Sequence, residues 1–281
     1  MNDIESYIQN NLSLKEFTFQ EEKDIKDIKE YYDNAKADAI FCYNTISKFL
    51  NSDKKILEVG GGIHLLTSFL NHKFDVTSVE PGGFTGFTDE LRNKIINKNK
   101  LNVHTTTLEN FSTNEKFDFI FSMNVLEHAQ DISSHLKTCL KLLKDENSVV
   151  FIQCPNYSFP FEPHFYEFFL PFLPKFTFEK IKKDRLILQL GKSKYYNIIN
   201  NLNFECTYKN IKKTRLKINF IHPLKSIFER IVIDKQFRKR ILKNFFVNLI
   251  YKSIIFLKIE KIFCKLFPKF ICPYLIFTIK K

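Results

Sequence analysis

A glycine-rich turn, Glu58-Val59-Gly60-Gly61-Gly62, follows an apolar run and precedes a stretch with helical spacing. Glycines at such a position let the backbone approach a ligand closely, and the N-terminus of the following helix offers free N–H groups. Dinucleotide-binding proteins share this kind of turn, but Leu65 stands where their third glycine would be. The turn therefore predicts a cofactor site and counts against an NAD enzyme.

A second acidic residue, Glu80, ends the next apolar run, eighteen residues after Gly62. A carboxylate at about this distance can accept two hydrogen bonds from the hydroxyls of a ribose. Ligands of parallel sheets bind beyond the carboxyl ends of the strands, so we expect Glu80 beside the glycine turn. The alternative interpretation is an exposed acid in front of the Pro81-Gly82 turn.

The most specific motif is the run Phe117–His128, in which an apolar strand enters an Asn-Val-Leu-Glu-His turn. This run resembles the class I S-adenosylmethionine (SAM)-dependent methyltransferases, especially the branch similar to the ubiquinone-biosynthesis O-methyltransferases. The run Thr105–Glu109 is similar to the same branch. The resemblance implies a Rossmann-like α/β fold, SAM as the cofactor and methyl transfer as the reaction.

The resemblance also implies a role for each matching position. The implied cofactor-binding residues are Glu58, Gly60, Gly61, Gly62, Glu80, Leu108, Glu109 and Asn124. The residues of the glycine turn would shape the pocket for the methionine part of SAM, and Glu80 would bind the ribose hydroxyls. Leu108 and Glu109 would lie at the adenine, and Asn124 beside the sulfonium. One position departs from the family, because His64 stands where glycine is frequent.

Three side chains are candidates for catalysis: His128, His164 and Tyr166. The resemblance implies that His128 is more often structural, and that the loop holding the other two lies over the methyl group. A hydroxyl acceptor would benefit from a base such as His164, because histidine titrates near neutrality. The alternative is that His164 and its aromatic neighbours only pack the loop. No set of metal ligands is predicted.

Short β-rich runs alternate with helical stretches, which predicts parallel βαβ units in a doubly wound sheet. The predicted strands are Lys55–Val59, Asp75–Glu80, Asn102–Thr107, Phe117–Asn124 and Ser148–Cys154. The predicted helices are Ile63–Asn71, Thr88–Asn97, Ile132–Leu143 and Lys192–Asn201. An antiparallel hairpin of Phe204–Ile211 and Tyr274–Ile279 would complete the seven-stranded, mostly parallel sheet of a class I methyltransferase.

Four parts are predicted along the chain. Residues 1–50 form a helical cover, in which Glu21–Leu50 lies across the sheet over the cofactor. Residues 51–214 form the SAM-binding domain, 215–270 a basic amphipathic helical insertion, and 271–281 the last strand of the sheet.

The net charge of +12 is unevenly distributed, because acids exceed bases before residue 175 and bases far exceed acids after it. Residues 220–270 combine Lys and Arg with Phe, Ile and Leu at helical spacing, and their longest charge-free run is Asn244–Tyr251. A spanning helix needs about 20 apolar residues. The pattern fits an amphipathic helix at an anionic membrane surface. It also fits a face packed on the core or, less well, an RNA-binding surface around Arg238-Lys239-Arg240.

The six cysteines lie far apart, which favours buried side chains in a reducing compartment over disulfides or a zinc site. The N-terminus lacks a basic start followed by an apolar run, so no signal peptide is expected. We therefore expect a cytoplasmic protein, peripheral to the inner face of a membrane, that methylates an oxygen of a small or lipid-linked acceptor such as a glycan or quinone precursor. The alternatives are an RNA methyltransferase and a non-catalytic SAM-binding protein.

Overall fold

The described residues form a main sheet of seven strands. A computed structural model describes residues 3–14, 25–51, 53–83, 87–234, 237–239, 242 and 245–281. Its strands are β1 Lys55–Val59, β2 Asp75–Val79, β3 Asn102–His104, β4 Phe119–Met123, β5 Val149–Pro155, β6 Phe161–Glu162, β7 Glu167–Phe168, β8 Ile218–Ile221 and β9 Tyr274–Ile279. Seven of them form one sheet in the order β3-β2-β1-β4-β5-β9-β8, and β6 pairs with β7. The predicted Rossmann-like sheet is confirmed.

Helices connect these strands. They are α1 Asp3–Asn11, α2 Ile25–Ile46, α3 Leu65–Asn71, α4 Phe87–Asn99, α5 Ile132–Leu142, α6 Pro174–Phe176, α7 Lys183–Leu190, α8 Lys192–Asn200, α9 Tyr208–Lys213, α10 Leu224–Ile233, α11 Phe245–Phe256 and α12 Glu260–Leu266. A π-helical turn, Thr177–Ile181, follows α6. In the described part of the chain, no helix is long and apolar enough to cross a membrane.

The predicted central strands and helices are confirmed, with boundaries that differ by a few residues. Helix α3 begins at Leu65 rather than at Ile63, because His64 adopts a left-handed conformation with φ 63°. Strand β3 ends at His104, three residues before the predicted end. Strand β5 is buried along its whole length, which suits its nearly continuous apolar sequence.

The predicted hairpin partner of the last strand is wrong. Phe204–Ile211 was expected to be a strand, but this segment turns and enters α9. The Thr207 hydroxyl caps that helix by accepting a hydrogen bond from the N–H of Asn210 at 3.2 Å. Strand β8 pairs antiparallel with β9 instead, with Ile218 opposite Ile279. Residues 215–270, predicted as a helical insertion, therefore also contain a strand of the sheet.

The chain divides into two compact units. The first unit comprises Met1–Met123, Lys137–Phe151 and Lys280–Lys281, and the second unit comprises Asn124–Leu136 and Ile152–Ile279.

In the first unit, the N-terminal helices pack on α3. The Tyr7 ring of α1 and the Tyr43 ring of α2 lie 5.4 Å and 4.9 Å from the ring of Phe69. The Tyr7 hydroxyl also hydrogen-bonds the Ser68 carbonyl at 3.3 Å. The predicted N-terminal helical segment is thus part of the first unit's core; residues 21–24 of it lie outside the described residues.

In the second unit, Asn156 connects the end of β5 with the chain leading into β9. Its side-chain amide donates to the carbonyls of Phe270 and Cys272 at 2.9 and 2.8 Å. Its Oδ1 atom accepts from the N–H groups of Ser158 and Tyr208 at 3.1 and 3.3 Å. The side chain is fully buried, so every one of these bonds replaces a bond to water.

We expect Asn156→Ala to lower the free energy of unfolding by at least about 2 kcal/mol, because it leaves the buried Cys272 carbonyl and three partly buried backbone groups without their partner. The measurement is urea unfolding of the whole chain. Asn147→Ala is the matched control, since Asn147 is exposed, and it should change the free energy by less than about 0.5 kcal/mol. Equal effects of the two substitutions would contradict this role of Asn156.

Candidate active site

The glycine turn leaves β1 with two residues in the left-handed region. Gly60 has a φ of 86° and Gly62 a φ of 56°, conformations that other residues rarely adopt. Gly61 is required for a different reason: a Cβ atom there would lie 2.4 Å from Nδ1 of His64 and 2.7 Å from Oγ of Ser78. The turn can keep its shape only while position 61 lacks a side chain.

Glu80 follows β2 directly and lies against this turn. Its Oε2 atom accepts a hydrogen bond from the N–H of Gly62 at 2.9 Å, and Oε1 accepts one from the N–H of Gly82 at 3.2 Å. The side chain is buried. Burial raises the pKa of Glu80, while the two N–H groups and the charge of Arg92 act in the opposite direction. The predicted neighbourhood of Glu80 and the glycine turn is thus present in the structure.

A chain of hydrogen-bonded, buried polar groups packs against the glycine turn. The Thr67 hydroxyl donates to the carboxylate of Glu58 and lies 3.0 Å from Nδ1 of His64. The Ser78 hydroxyl lies 3.5 Å from the same nitrogen. Burial raises the pKa of Glu58 to about 7. Burial, together with the charge of Arg92, lowers the pKa of His64 to about 3, so His64 is neutral. Its ring fills the space beside Gly61 that a side chain at position 61 would need.

Two residues near Glu80 were not predicted. The Arg92 side chain of α4 is buried; its Nη2 atom donates to the Thr105 hydroxyl at 3.2 Å, and its Nε atom has no partner among the described residues. Burial and the charge of Glu80 raise the pKa of Tyr31, on α2, to about 12. The only signal for Arg92 in the sequence was its place next to Leu91 and three residues before Ile95, two apolar positions of the predicted helix.

The predicted adenine residues lie in a short 3-10 turn, Leu108–Asn110, after β3. Leu108 is buried, as expected of a residue that packs on a ring, whereas Glu109 is exposed. Asn124, in the second unit, has a φ of 57° and donates its N–H to the Gln153 carbonyl at 2.8 Å. The roles assigned to these three residues stay predictions.

The loop after β5 brings two of the three catalytic candidates together. The rings of His128 and His164 lie 5.3 Å apart in an edge-to-face arrangement. Nδ1 of His164 lies 2.6 Å from Oε1 of the buried Glu162, and Nδ1 of His128 lies 2.8 Å from the Asn201 carbonyl. The Glu162 carboxylate also accepts from the Phe165 N–H at 2.6 Å.

Tyr166, the third candidate, is placed differently. Its side chain is 41% exposed, and its ring lies edge-on to Phe161 at 6.5 Å.

The hydrogen bond and charge of Glu162 outweigh the effect of burial on His164, so the pKa of His164 is raised. The catalytic roles of His128, His164 and Tyr166 remain predictions.

Glu127, beside His128 in sequence, was missed. Its side chain has no exposed surface, and neither carboxylate oxygen has a hydrogen-bond partner among the described residues. Burial raises the pKa of Glu127 to about 7. The sequence offered no signal, because the Leu-Glu-His turn resembles the family motif whether or not the carboxylate is used.

The sheet order, the glycine turn after β1 and the acid after β2 define a Rossmann-like protein with a site for a nucleoside-containing cofactor. The family model described as "Methyltransferase domain" matches residues 30–202, more than half of the chain. The protein therefore belongs to the methyltransferase domain family.

Comparison with other proteins gives partial matches. The uncharacterized protein Rv1509 of Mycobacterium tuberculosis (strain ATCC 25618 / H37Rv) is 37% identical over 115 residues, which cover 39% of this chain and 39% of that protein. A ubiquinone biosynthesis O-methyltransferase of Pelagibacter ubique is 29% identical over 133 residues, covering 44% of this chain and 55% of that protein. The chain thus spans about half the length, or less, of these relatives.

Among solved structures, phosphoethanolamine N-methyltransferase 2 of Haemonchus contortus, in complex with S-adenosyl-L-methionine, is similar with a TM-score of 0.46. The two sequences are 15% identical, and the match covers 83% of this chain and 49% of that chain.

The pKa of His64 gives a prediction for stability against pH. The pKa is about 3 in the folded protein and about 6.5 in an unfolded chain. Below pH 6.5 the unfolded state therefore binds a proton that the folded state excludes, and stability falls with pH. The free energy of unfolding of the wild type, minus that of His64→Asn, should therefore fall by about 2 kcal/mol when the pH is lowered from 7.5 to 5.

Urea unfolding at both pH values measures this difference. Asparagine tolerates the left-handed backbone at position 64, so the variant should fold. His72→Asn replaces an exposed histidine and should leave the pH dependence as in the wild type. A pH-independent difference between His64→Asn and the wild type would show that His64 is not held neutral.

Proposed function

We propose that this protein binds SAM at the glycine turn of the first unit and transfers its methyl group to an oxygen of a small or lipid-linked acceptor at a membrane surface. The carboxylate of Glu80, held beside the turn by the N–H groups of Gly62 and Gly82, carries the cofactor part of the proposal. The name of the matching family supports the reaction.

The carboxylate of Glu80 has unused hydrogen-bond acceptors that a ribose can occupy. Each carboxylate oxygen has two lone pairs and can accept two hydrogen bonds. One lone pair of each oxygen is used by a backbone N–H, at 2.9 and 3.2 Å. The other can accept a ribose hydroxyl, so two neighbouring hydroxyls can bind without breaking the contact that orders the turn.

The reaction needs little covalent chemistry from the protein. Methyl transfer from a sulfonium is an in-line displacement, so alignment of the acceptor and exclusion of water supply much of the acceleration. Two relatives support an oxygen acceptor through their names, the ubiquinone biosynthesis O-methyltransferase and a malonyl-[acyl-carrier protein] O-methyltransferase of Priestia megaterium, which is 26% identical over 130 residues. That match covers 46% of this chain and 47% of the Priestia protein.

The membrane part of the proposal rests on the surface of α11, α12 and the residues that follow. Large apolar side chains are exposed here: Leu249, Ile250, Ile255, Phe256, Leu257, Ile262, Leu266 and Phe270. Exposed lysines lie among them: Lys252, Lys258, Lys261, Lys265 and Lys269. Apolar groups beside cations match the interface of an anionic bilayer, where the former enter the acyl boundary and the latter meet lipid phosphates.

Other side chains of this segment pack inward. Ile231, Phe237 and Ile254 are buried, so core packing and membrane binding are compatible within it. Of the basic cluster predicted as an RNA site, Arg238 and Lys239 are described and Arg240 lies outside the described residues.

For the cofactor, we expect SAM and S-adenosylhomocysteine to bind with micromolar affinity, and Glu80→Ala to weaken both by about 5- to 150-fold. This range corresponds to about 1–3 kcal/mol, the cost of leaving ribose hydroxyls and backbone N–H groups without an acceptor. Isothermal titration calorimetry gives both affinities directly. Glu80→Gln keeps one acceptor oxygen, and its affinity should be intermediate.

Glu90→Ala is the matched control, because Glu90 pairs with Lys94 on the surface of α4; its affinity should equal that of the wild type. A folded wild type that binds neither ligand, or a Glu80→Ala variant that binds both as tightly, would overturn the cofactor proposal. Binding without turnover on any hydroxyl acceptor would support the non-catalytic alternative.

For the membrane, we expect cosedimentation with vesicles of phosphatidylcholine and phosphatidylglycerol, and weak binding to phosphatidylcholine alone. The double variant Lys258→Gln/Lys261→Gln should lose about 10- to 30-fold in affinity for the anionic vesicles, because each lysine near the surface contributes about 1 kcal/mol. Phe256→Ser/Leu266→Ser should weaken binding to both vesicle types.

Lys137→Gln/Lys141→Gln removes two exposed lysines from α5 and serves as the charge-matched control, with unchanged binding. An equal loss of vesicle affinity in both lysine variants would mean that only the net charge of the protein matters. That result would contradict a specific membrane-binding surface on α11 and α12. Tight binding of RNA, weakened by salt and by the Lys258/Lys261 variant, with no vesicle binding, would favour the RNA alternative.

A further inference from the structure

We propose that Glu127, His128 and His164 bind a divalent transition-metal ion of the Zn²⁺ type. Each of the three residues offers a ligand atom, and these atoms all lie within 4.8 Å of one another. All three belong to the second unit, so the proposal does not depend on the SAM site of the first unit.

The hydrogen bonds of the two histidines select the nitrogens that would bind the metal. Nδ1 of His128 faces the Asn201 carbonyl at 2.8 Å, and Nδ1 of His164 faces the Glu162 carboxylate at 2.6 Å. Both oxygens only accept, so each Nδ1 carries a proton. In a neutral imidazole the lone pair is then on Nε2, and both Nε2 atoms are ready to bind a cation.

Glu127 supplies the second, independent observation. Its carboxylate is completely buried, yet neither oxygen receives a hydrogen bond from the described residues. A buried carboxylate without donors is costly, and a bound cation is one of the few partners that can compensate it. A purely structural carboxylate would be expected to have donors around it, as the nearby Glu162 has.

Outer hydrogen bonds hold these ligands in place. Glu162 is oriented by the Phe165 N–H at 2.6 Å and the Tyr157 hydroxyl at 3.3 Å, and it in turn orients His164. The Asn203 N–H donates to the Glu127 carbonyl at 2.7 Å. A carboxylate behind a ligating histidine is the outer-shell arrangement that many metal sites use to set the imidazole tautomer and orientation.

The chemistry of the ligands restricts the kind of ion. Two imidazole nitrogens and one carboxylate suit Zn²⁺, Fe²⁺, Co²⁺ or Ni²⁺, whereas Mg²⁺ and Ca²⁺ prefer oxygen alone. Ligands about 2.0–2.2 Å from Zn²⁺ lie about 3.4 Å apart in a tetrahedron, so side-chain rotations would close the cluster on the ion. Three protein ligands would leave a position for water or an oxygen of another molecule, and the exposed His128 places the cluster next to solvent.

The direct test is Co²⁺ and Zn²⁺ binding to the whole chain after treatment with a chelator. We expect each chain to bind one Co²⁺ ion, with a visible absorption spectrum typical of Co²⁺ with few ligands. One equivalent of Zn²⁺ should displace the Co²⁺. Glu127→Gln should lower the affinity by more than about 100-fold, and Glu162→Gln by about 10- to 100-fold, the range for outer-shell partners. His72→Asn, which removes an exposed histidine elsewhere, should bind as the wild type does.

Thermal unfolding guards against a variant that fails to fold. Without metal, Glu127→Gln should melt at or above the wild-type temperature, because it removes a buried carboxylate without donors. With Zn²⁺ at about 100 times its Kd, the wild type should melt about 5–10 °C higher, and the variant should not respond. No stoichiometric Co²⁺ binding, or an equal Zn²⁺ shift in both proteins, would overturn the metal site and leave the SAM proposal untouched.

Discussion

Two turns of the first unit are joined by one buried carboxylate. The parallel register of β1 and β2 places Val59 opposite Val79, so the chain leaves both strands at the same edge of the sheet. Glu80 then accepts hydrogen bonds from the N–H groups of Gly62 and Gly82, one in each turn. Both turns are rich in glycine, which loses more conformational entropy on folding than other residues. Their geometry therefore depends on this acceptor, and so does the site that we assign to the cofactor.

The buried acidic residues discussed above differ in the hydrogen bonds that their carboxylates accept. Glu58 and Glu162 each receive donors from neighbouring groups, and both hold another residue in position. Glu80 has partners but keeps lone pairs that can accept more. Glu127 has no donor among the described residues. Because a buried polar group without a partner is costly, the acids with unused capacity are where an external ligand gains most. This difference, rather than burial alone, separates candidate binding residues from supporting ones.

The sequence alone determined the central elements of the fold. Alternating strands and helices, the glycine turn and Glu80 predicted the sheet and the position of Glu80 beside the glycine turn. These predictions succeeded because hydrophobic periodicity and turn residues act over short distances along the chain. The hairpin failed for a related reason: Phe204–Ile211 has the composition of a strand, but the Thr207 cap favours a helix, and β8 is selected by its pairing with β9.

Only the tertiary structure decided which polar side chains meet. No local pattern indicates that His64 fills the space beside Gly61, that Arg92 is buried near Glu80, or that Glu127 lacks donors. The surroundings of these groups are set by contacts between residues that are not neighbours in sequence, such as His64 with Ser78 and Arg92 with Thr105. A spacing rule carries no information on desolvation, which is set by everything that packs around a group. The sequence thus determined the class of protein, and packing decided the protonation, burial and unused bonding capacity that make a site.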